Sequence, residues 1–106
     1  MEKLYVENGR LMAGGAPLLL RGFGLGGWLL PEGYMWKFYT KCDRPRRIEA
    51  LIEELCDAEY AASFWERYYD SYITEADIRL AAENGFNSVR LPFNARHLME
   101  PGYLRR

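Results

Sequence analysis

Histidine occurs once in this sequence and cysteine twice. Cys42 and Cys56 form neither a Cys-x-x-Cys pair nor a disulfide framework, and no zinc-finger spacing is present. Both read as free thiols of a reducing compartment. An excess of positive charge is also lacking, with 14 basic and 15 acidic residues and a net charge of −1. Nothing here would neutralise a phosphate backbone, so nucleic acid is excluded as a partner. The one basic cluster, Arg44, Arg46 and Arg47 around Pro45, reads as a solvated loop leading into a helix. Long apolar runs are missing too. Leu18-Leu19-Leu20 is the longest pure leucine run, against about 20 apolar residues for a bilayer span, so no membrane partner is expected. Met1-Glu2-Lys3-Leu4-Tyr5 has no apolar signal core, and a cytoplasmic location is the expectation. Internal repeats and low-complexity segments are absent.

The chain does have aromatic residues in quantity: Tyr 8, Phe 5 and Trp 3, or 15% of its 106 residues. Such a share suits a core, an interface or a sugar-binding surface. With 49% hydrophobic residues the composition is globular. A domain of this size buries roughly 60–70% of its unfolded surface, so a modest core is possible.

Leu4-Tyr5-Val6 and Leu11-Met12 flank Asn8-Gly9, which suits a type I′ hairpin turn. Gly14-Gly15-Ala16-Pro17 reads as a second turn. Pro17 to Arg21 then enters an apolar run continuing through Gly22-Phe23-Gly24-Leu25, the pattern of a buried parallel strand. A long loop comes next, with Trp28, Pro31, Gly33, Tyr34, Trp36, Phe38 and Tyr39. Ile48, Leu51, Ile52 and Leu55 repeat at helical spacing, and Ala61, Phe64, Trp65, Tyr68, Tyr69 and Tyr72 form a second such stripe. A stripe of this kind means core packing by default. Thr74 with Asp77 three residues on predicts the capped start of a third helix, with Ile73 and Ile78 placed as a hydrophobic staple, and Gly85 predicts its stop. Phe86 to Pro92 reads as a short strand, and 93–106 as loop with a Pro101-Gly102 turn. The order is hairpin, strand, loop, helices, strand: one β-α-β unit whose parallel strands require neighbours that this sequence does not contain.

Gly22-Phe23-Gly24-Leu25-Gly26-Gly27 includes a literal G-x-G-x-x-G after a strand. A dinucleotide site needs that motif to open a helix. Pro31 and Gly33 interrupt any such helix, and Asp43 lies in a polar loop where an acidic residue should end a second strand. No cofactor is expected.

Two segments resemble glycoside hydrolase family five, the cellulase and exo-glucanase group. Leu20-Arg21-Gly22-Phe23-Gly24-Leu25-Gly26-Gly27-Trp28-Leu29 is similar to the family's first barrel strand. Tyr72-Ile73-Thr74-Glu75-Ala76-Asp77-Ile78 and Gly85-Phe86-Asn87-Ser88-Val89-Arg90-Leu91-Pro92-Phe93 are similar to its first helix and second strand. Together they cover about a third of the chain. The resemblance implies an α/β fold: the hairpin and first β-α-β unit of a TIM (β/α) barrel, with chemistry at the C-terminal ends of the strands. It divides the chain into an N-terminal hairpin (1–19), a first barrel strand (20–28), a loop with a helical insertion (29–72), a first barrel helix and second strand (73–92), and a loop (93–106).

The resemblance further implies a retaining hydrolase of O-glycosidic bonds in β-glucan-type polysaccharides or glycosides. Such enzymes use an acid/base and a nucleophilic glutamate about 5–5.5 Å apart. The family carries them on its fourth and seventh strands, so no catalytic residue is expected in this chain. Arg90 matches the family arginine that lies under the nucleophile and keeps it ionised and oriented, an active-site support. Glu32 is a candidate for binding sugar hydroxyls, although the family order places the acidic residue before the proline and here the order is Pro31-Glu32. Trp36 and Trp28 are candidates for stacking on pyranose faces, loop core being the plainer reading of Trp28. His97 matches no site histidine of the family and reads as a surface residue. The expected partners are a carbohydrate substrate and the remainder of the barrel. The alternative is a truncated, non-catalytic product or a small module that binds carbohydrate or a partner. Alone, the chain is expected to be inactive and to associate or unfold, since a barrel of this kind needs about 250 residues.

Overall fold

The computed structural model describes residues 2–38 and 41–99. Tyr39 and the expected Pro101-Gly102 turn lie outside them. The chain begins with three short antiparallel strands, β1 (Leu4–Glu7), β2 (Arg10–Ala13) and β3 (Ala16–Pro17). Asn8 and Gly9 join the first two with φ of 48° and 72°, the pair of positive angles that a type I′ turn requires. Pro17 pairs with Met12. It therefore lies in the hairpin sheet.

The parallel strand is shorter than the apolar run. β4 (Gly22–Gly24) pairs with β5 (Ser88–Arg90) in parallel, with Gly22 opposite Ser88, Phe23 opposite Val89 and Gly24 opposite Arg90. A parallel bridge between Leu29 and Phe93 carries the two chain segments on in the same direction. The strands meet closely at Gly22, where a Cβ would lie 2.4 Å from the Ser88 carbonyl oxygen. The expected burial is not observed: all three β4 residues are exposed, with Phe23 40% and Leu19 68% accessible. A parallel strand is buried only when elements cover both faces, and two strands leave those faces open.

Between β4 and β5 run α1 (Pro45–Cys56), α2 (Ala58–Ser71) and α3 (Glu75–Glu83). Pro45 starts α1 because its fixed φ and missing N–H suit a first helical position. The basic cluster thus falls partly inside a helix. Arg46 and Arg47 occupy the first turn of α1, where cations oppose the helix dipole. Asp43 offsets part of this charge by pairing with Arg47 (3.3 Å), and it also pairs with Arg44 (2.8 Å). Hydrogen bonding to Arg44 holds the Asp43 carboxyl down at about 2. Asp57 separates α1 from α2 at φ 100° and accepts from the Tyr60 N–H at 2.8 Å. At α3, the Thr74 N–H and hydroxyl both donate to Asp77 at 2.8 Å, the reach-back half of a capping box.

The fully packed interior is small. Met12, Leu25, Pro31, Cys42, Ile48 and Ala61 are buried apolar residues, with Ile48 completely enclosed. Leu55 of the predicted α1 stripe stays 72% accessible, and α3 buries no residue fully. Surface area is 8672 Å², where a compact monomer of this mass shows about 6,100 Å². The radius of gyration is 18.1 Å, against about 13 Å for a compact domain of this length.

Candidate functional site

The C-terminal ends of β4 and β5 lie side by side, and the segments leaving the two strands converge there. Beyond β4, Leu25 is buried and its N–H donates to the Arg90 carbonyl at 2.9 Å. Beyond β5, the Asn94 N–H donates to the Leu29 carbonyl at 3.1 Å. The backbone of Arg90 is thereby fixed at the strand end, beside Gly24. A Cβ on Gly24 would come no nearer than 4.0 Å to the Arg90 guanidinium. Among the described residues Arg90 takes part in no ion pair, so its charge is free to meet a carboxylate.

The segment after β4 is held by α2. The Tyr68 hydroxyl donates to the Gly27 carbonyl at 2.5 Å, and the Trp28 indole N–H donates to the Tyr69 carbonyl at 2.8 Å. Trp28 is half-buried and its polar edge is committed to the helix. Burial, with Tyr72 alongside, pushes the Tyr68 phenol up to about 12. Burial also raises Tyr69. Both hydroxyls stay protonated at neutral pH, so Tyr68 remains a donor to Gly27.

Trp36 lies inside an aromatic block. Its ring centroid is 5.2 Å from Tyr68, 5.5 Å from Trp65, 5.9 Å from Phe38 and 6.3 Å from Phe64. These separations are the usual ones for edge and offset aromatic contacts. A recess of 330 Å³ lined by Met35, Trp36, Phe64, Tyr68 and Tyr72 leaves part of this block open. Glu32 is half-buried at the start of the turn leading to Trp36. Its carbonyl accepts from Met35 (3.0 Å) and Trp36 (3.3 Å). Glycine stands at position 33 because only hydrogen fits there: a Cβ would stand 2.0 Å from the Cys42 carbonyl oxygen.

Four residues that the sequence did not single out as site residues matter to this region. Tyr68 and Tyr69 belong to the α2 stripe, and nothing in helical spacing separates a packing tyrosine from one that grips a strand end. His97 is exposed, as a surface residue would be, but it has an aromatic neighbour. It sits in the short 3-10 turn Ala95–His97, with its ring 5.1 Å from that of Tyr69. Burial, chiefly, and the nearby Arg96 charge hold its pKa below the ordinary histidine value. Arg96 forms a two-pronged ion pair with Glu49 of α1. It joins residues 47 apart in the chain, so no local motif could announce it. Among the described residues no cluster of His, Cys, Asp and Glu could hold a metal, and no helix is long and apolar enough to cross a membrane.

Three curated proteins are similar to most of this chain. A beta-xylosidase of Phanerodontia chrysosporium is 33% identical over 94 residues, which cover 86% of the chain and 19% of that protein. A probable glucan 1,3-beta-glucosidase A of Emericella nidulans is 34% identical over 74 residues, covering 69% and 18%. A glucan 1,3-beta-glucosidase of Lachancea kluyveri is 34% identical over 82 residues, covering 70% and 19%. The matched stretch is glycoside-hydrolase-like. The chain spans about a fifth of the length of these relatives. No family model matches it, and no solved structure matches it significantly.

Proposed function

We propose that this glycoside-hydrolase-like chain is the N-terminal hairpin and first β-α-β unit of a family-five-type (β/α) barrel. The barrel's activity is retaining hydrolysis of β-linked glucosides or glucans. The observation that carries the reading is the parallel β4–β5 register, which sets Arg90 beside Gly24 at a strand's C-terminal end. Barrel enzymes assemble their chemistry at such ends. The exposed faces support it too. The chain shows about 2,600 Å² more surface than a compact monomer of its mass, an amount suited to packing against further elements.

In this reading Arg90 stays charged and donates to the carboxylate of a nucleophilic glutamate supplied by the rest of the barrel. A guanidinium in that position keeps the carboxylate ionised and aims it, through charge-assisted hydrogen bonds. The Tyr68–Gly27 and Trp28–Tyr69 hydrogen bonds hold the loop that carries Glu32 and Trp36 toward bound sugar. Trp28 contributes as a fixed support of that loop, and Trp36 offers the edge open to the recess.

The test is to read the gene past the codon for Arg106 and to assay the encoded protein. The expected frame runs on with an Asn-Glu pair and a later Glu, each ending a strand. The expected first product of an aryl β-glucoside is the β-anomer, seen by NMR. A stop codon directly after Arg106, or an α-anomeric first product, would refute the retaining-barrel reading.

A further inference from the structure

A groove of 670 Å³ runs between α1, α2 and the Ala95–His97 turn. It shares no residue with the Arg90 strand end or with the Trp36 recess. One wall is aromatic: Trp65 and Tyr69 stack at 27° with centroids 5.8 Å apart, and His97 stands edge-on to Tyr69. The other wall is polar: Glu49, Glu53 and Arg96 line it. Glu49 and Arg96 are locked together as a fork, and their side chains remain 23% and 36% accessible. Glu53 joins no ion pair among the described residues.

We propose that this groove is an accessory oligosaccharide-binding site, taking a neutral β-linked glucose chain at a distance from the bond that is cleaved. The inference rests on the glycosidase reading and extends it to a second place on the molecule. Ring faces suit the C–H face of a pyranose, and fixed polar groups opposite suit its hydroxyls. The charge balance selects the ligand. Two carboxylates, Glu49 and Glu53, line the groove with one guanidinium, Arg96. An anionic ligand meets net repulsion, while a neutral polyol meets donors and acceptors already held in place. Arg96 lies six residues beyond Arg90, so the groove is within about 21 Å of the strand end along the chain. A sugar chain could reach from one to the other.

The test uses the full-length protein carrying this chain. A β-1,3-linked glucose hexasaccharide is titrated against tryptophan fluorescence, and turnover of an aryl β-glucoside is measured in parallel. Ala62→Phe fills the groove from an exposed position on α2, and Arg96→Ala removes the fork. Each is expected to weaken hexasaccharide binding about tenfold, the order of one charged hydrogen bond or one stacking contact. Glu53→Gln changes an exposed side chain, in no ion pair among the described residues, almost without changing its shape. It keeps the test valid should either of the other two misfold, and a two- to tenfold loss is expected of it. Unchanged hexasaccharide affinity in well-folded variants, with glucoside turnover intact, would overturn the groove and leave the glycosidase reading standing. Binding lost in the variants of a protein without turnover would keep the groove and sink the glycosidase reading. A protein that neither binds nor turns over would overturn both.

Discussion

Replacing Gly22 by alanine tests whether the β4–β5 pair is built as described. The added Cβ would fall 2.2 Å from Ser88 Oγ and 2.4 Å from the Ser88 carbonyl oxygen. The hydroxyl can rotate away, but the carbonyl is backbone, so the strands must part by several tenths of an ångström. Three hydrogen bonds at the two ends of the ladder depend on the strands' spacing: Asn87 N–H to Arg21 O at 2.9 Å, Ser88 N–H to Arg21 O at 3.2 Å, and Leu25 N–H to Arg90 O at 2.9 Å. A net value of about 0.5–1.5 kcal/mol for each puts roughly 1.5–4.5 kcal/mol at risk. At tenfold per 1.4 kcal/mol, exchange of the Leu25 and Ser88 amides with solvent should quicken about 10- to 1,600-fold. The hairpin amide of Leu18, bonded to Leu11 O at 2.8 Å, is the internal reference and should not change. Unaltered protection of Leu25 in Gly22→Ala would refute the close approach. Equal loss of protection at Leu18 would refute the claim that the damage is local to β4 and β5.

Other consequences can be measured directly. Asp57→Ala should destabilise the protein by about 1–2 kcal/mol in denaturant unfolding, because it removes the α2 cap. Asp57→Gly should cost less, since glycine tolerates the φ of 100° there. Tyr68 titrates at about 12 when folded and at 10.0 otherwise, so the unfolded chain gives up that proton first. Its stabilising contribution should be complete below pH 10 and lost as the pH rises toward 12, and Tyr68→Phe should flatten this part of the stability profile. His97, depressed when folded, works in the opposite sense. Stability should fall as the pH drops below 6.5, and His97→Gln should remove that slope.

Local chemistry explains which features could be read from the sequence. Asn8-Gly9, Thr74 with Asp77, and Gly85 act through neighbours within a few residues, and the turn, the cap and the helix stop formed where those residues predict. The helical stripes also gave α1 and α2. The leucine run misled because apolarity without alternation signals burial only when elements cover both faces, and among the described residues β4 is left exposed. The regular strand is Gly22–Gly24, shorter than the 20–28 expected of it. Pro45 lay at the centre of the basic cluster and marked the start of α1, a signal outweighed by the run of charge. The grip of Tyr68 on Gly27, the Arg96–Glu49 fork and the Tyr69–His97 contact all join distant parts of the chain. They depend on how α1 and α2 dock against the strand ends, which spacing along one segment cannot express. Arg90, Glu32, Trp28 and Trp36 became candidates through the family resemblance alone.

The central claim is that Arg90 serves a glycosidase site completed by further chain, and turnover tests it most directly. The full-length protein carrying this chain and its Arg90→Ala variant would be compared for hydrolysis of an aryl β-glucoside. The account predicts turnover by the parent protein, and a kcat lower by ~10²-fold or more in the folded variant, the scale of loss when a reacting group is misaligned. No glycoside turnover by the parent protein, or an unchanged kcat without Arg90, would contradict it.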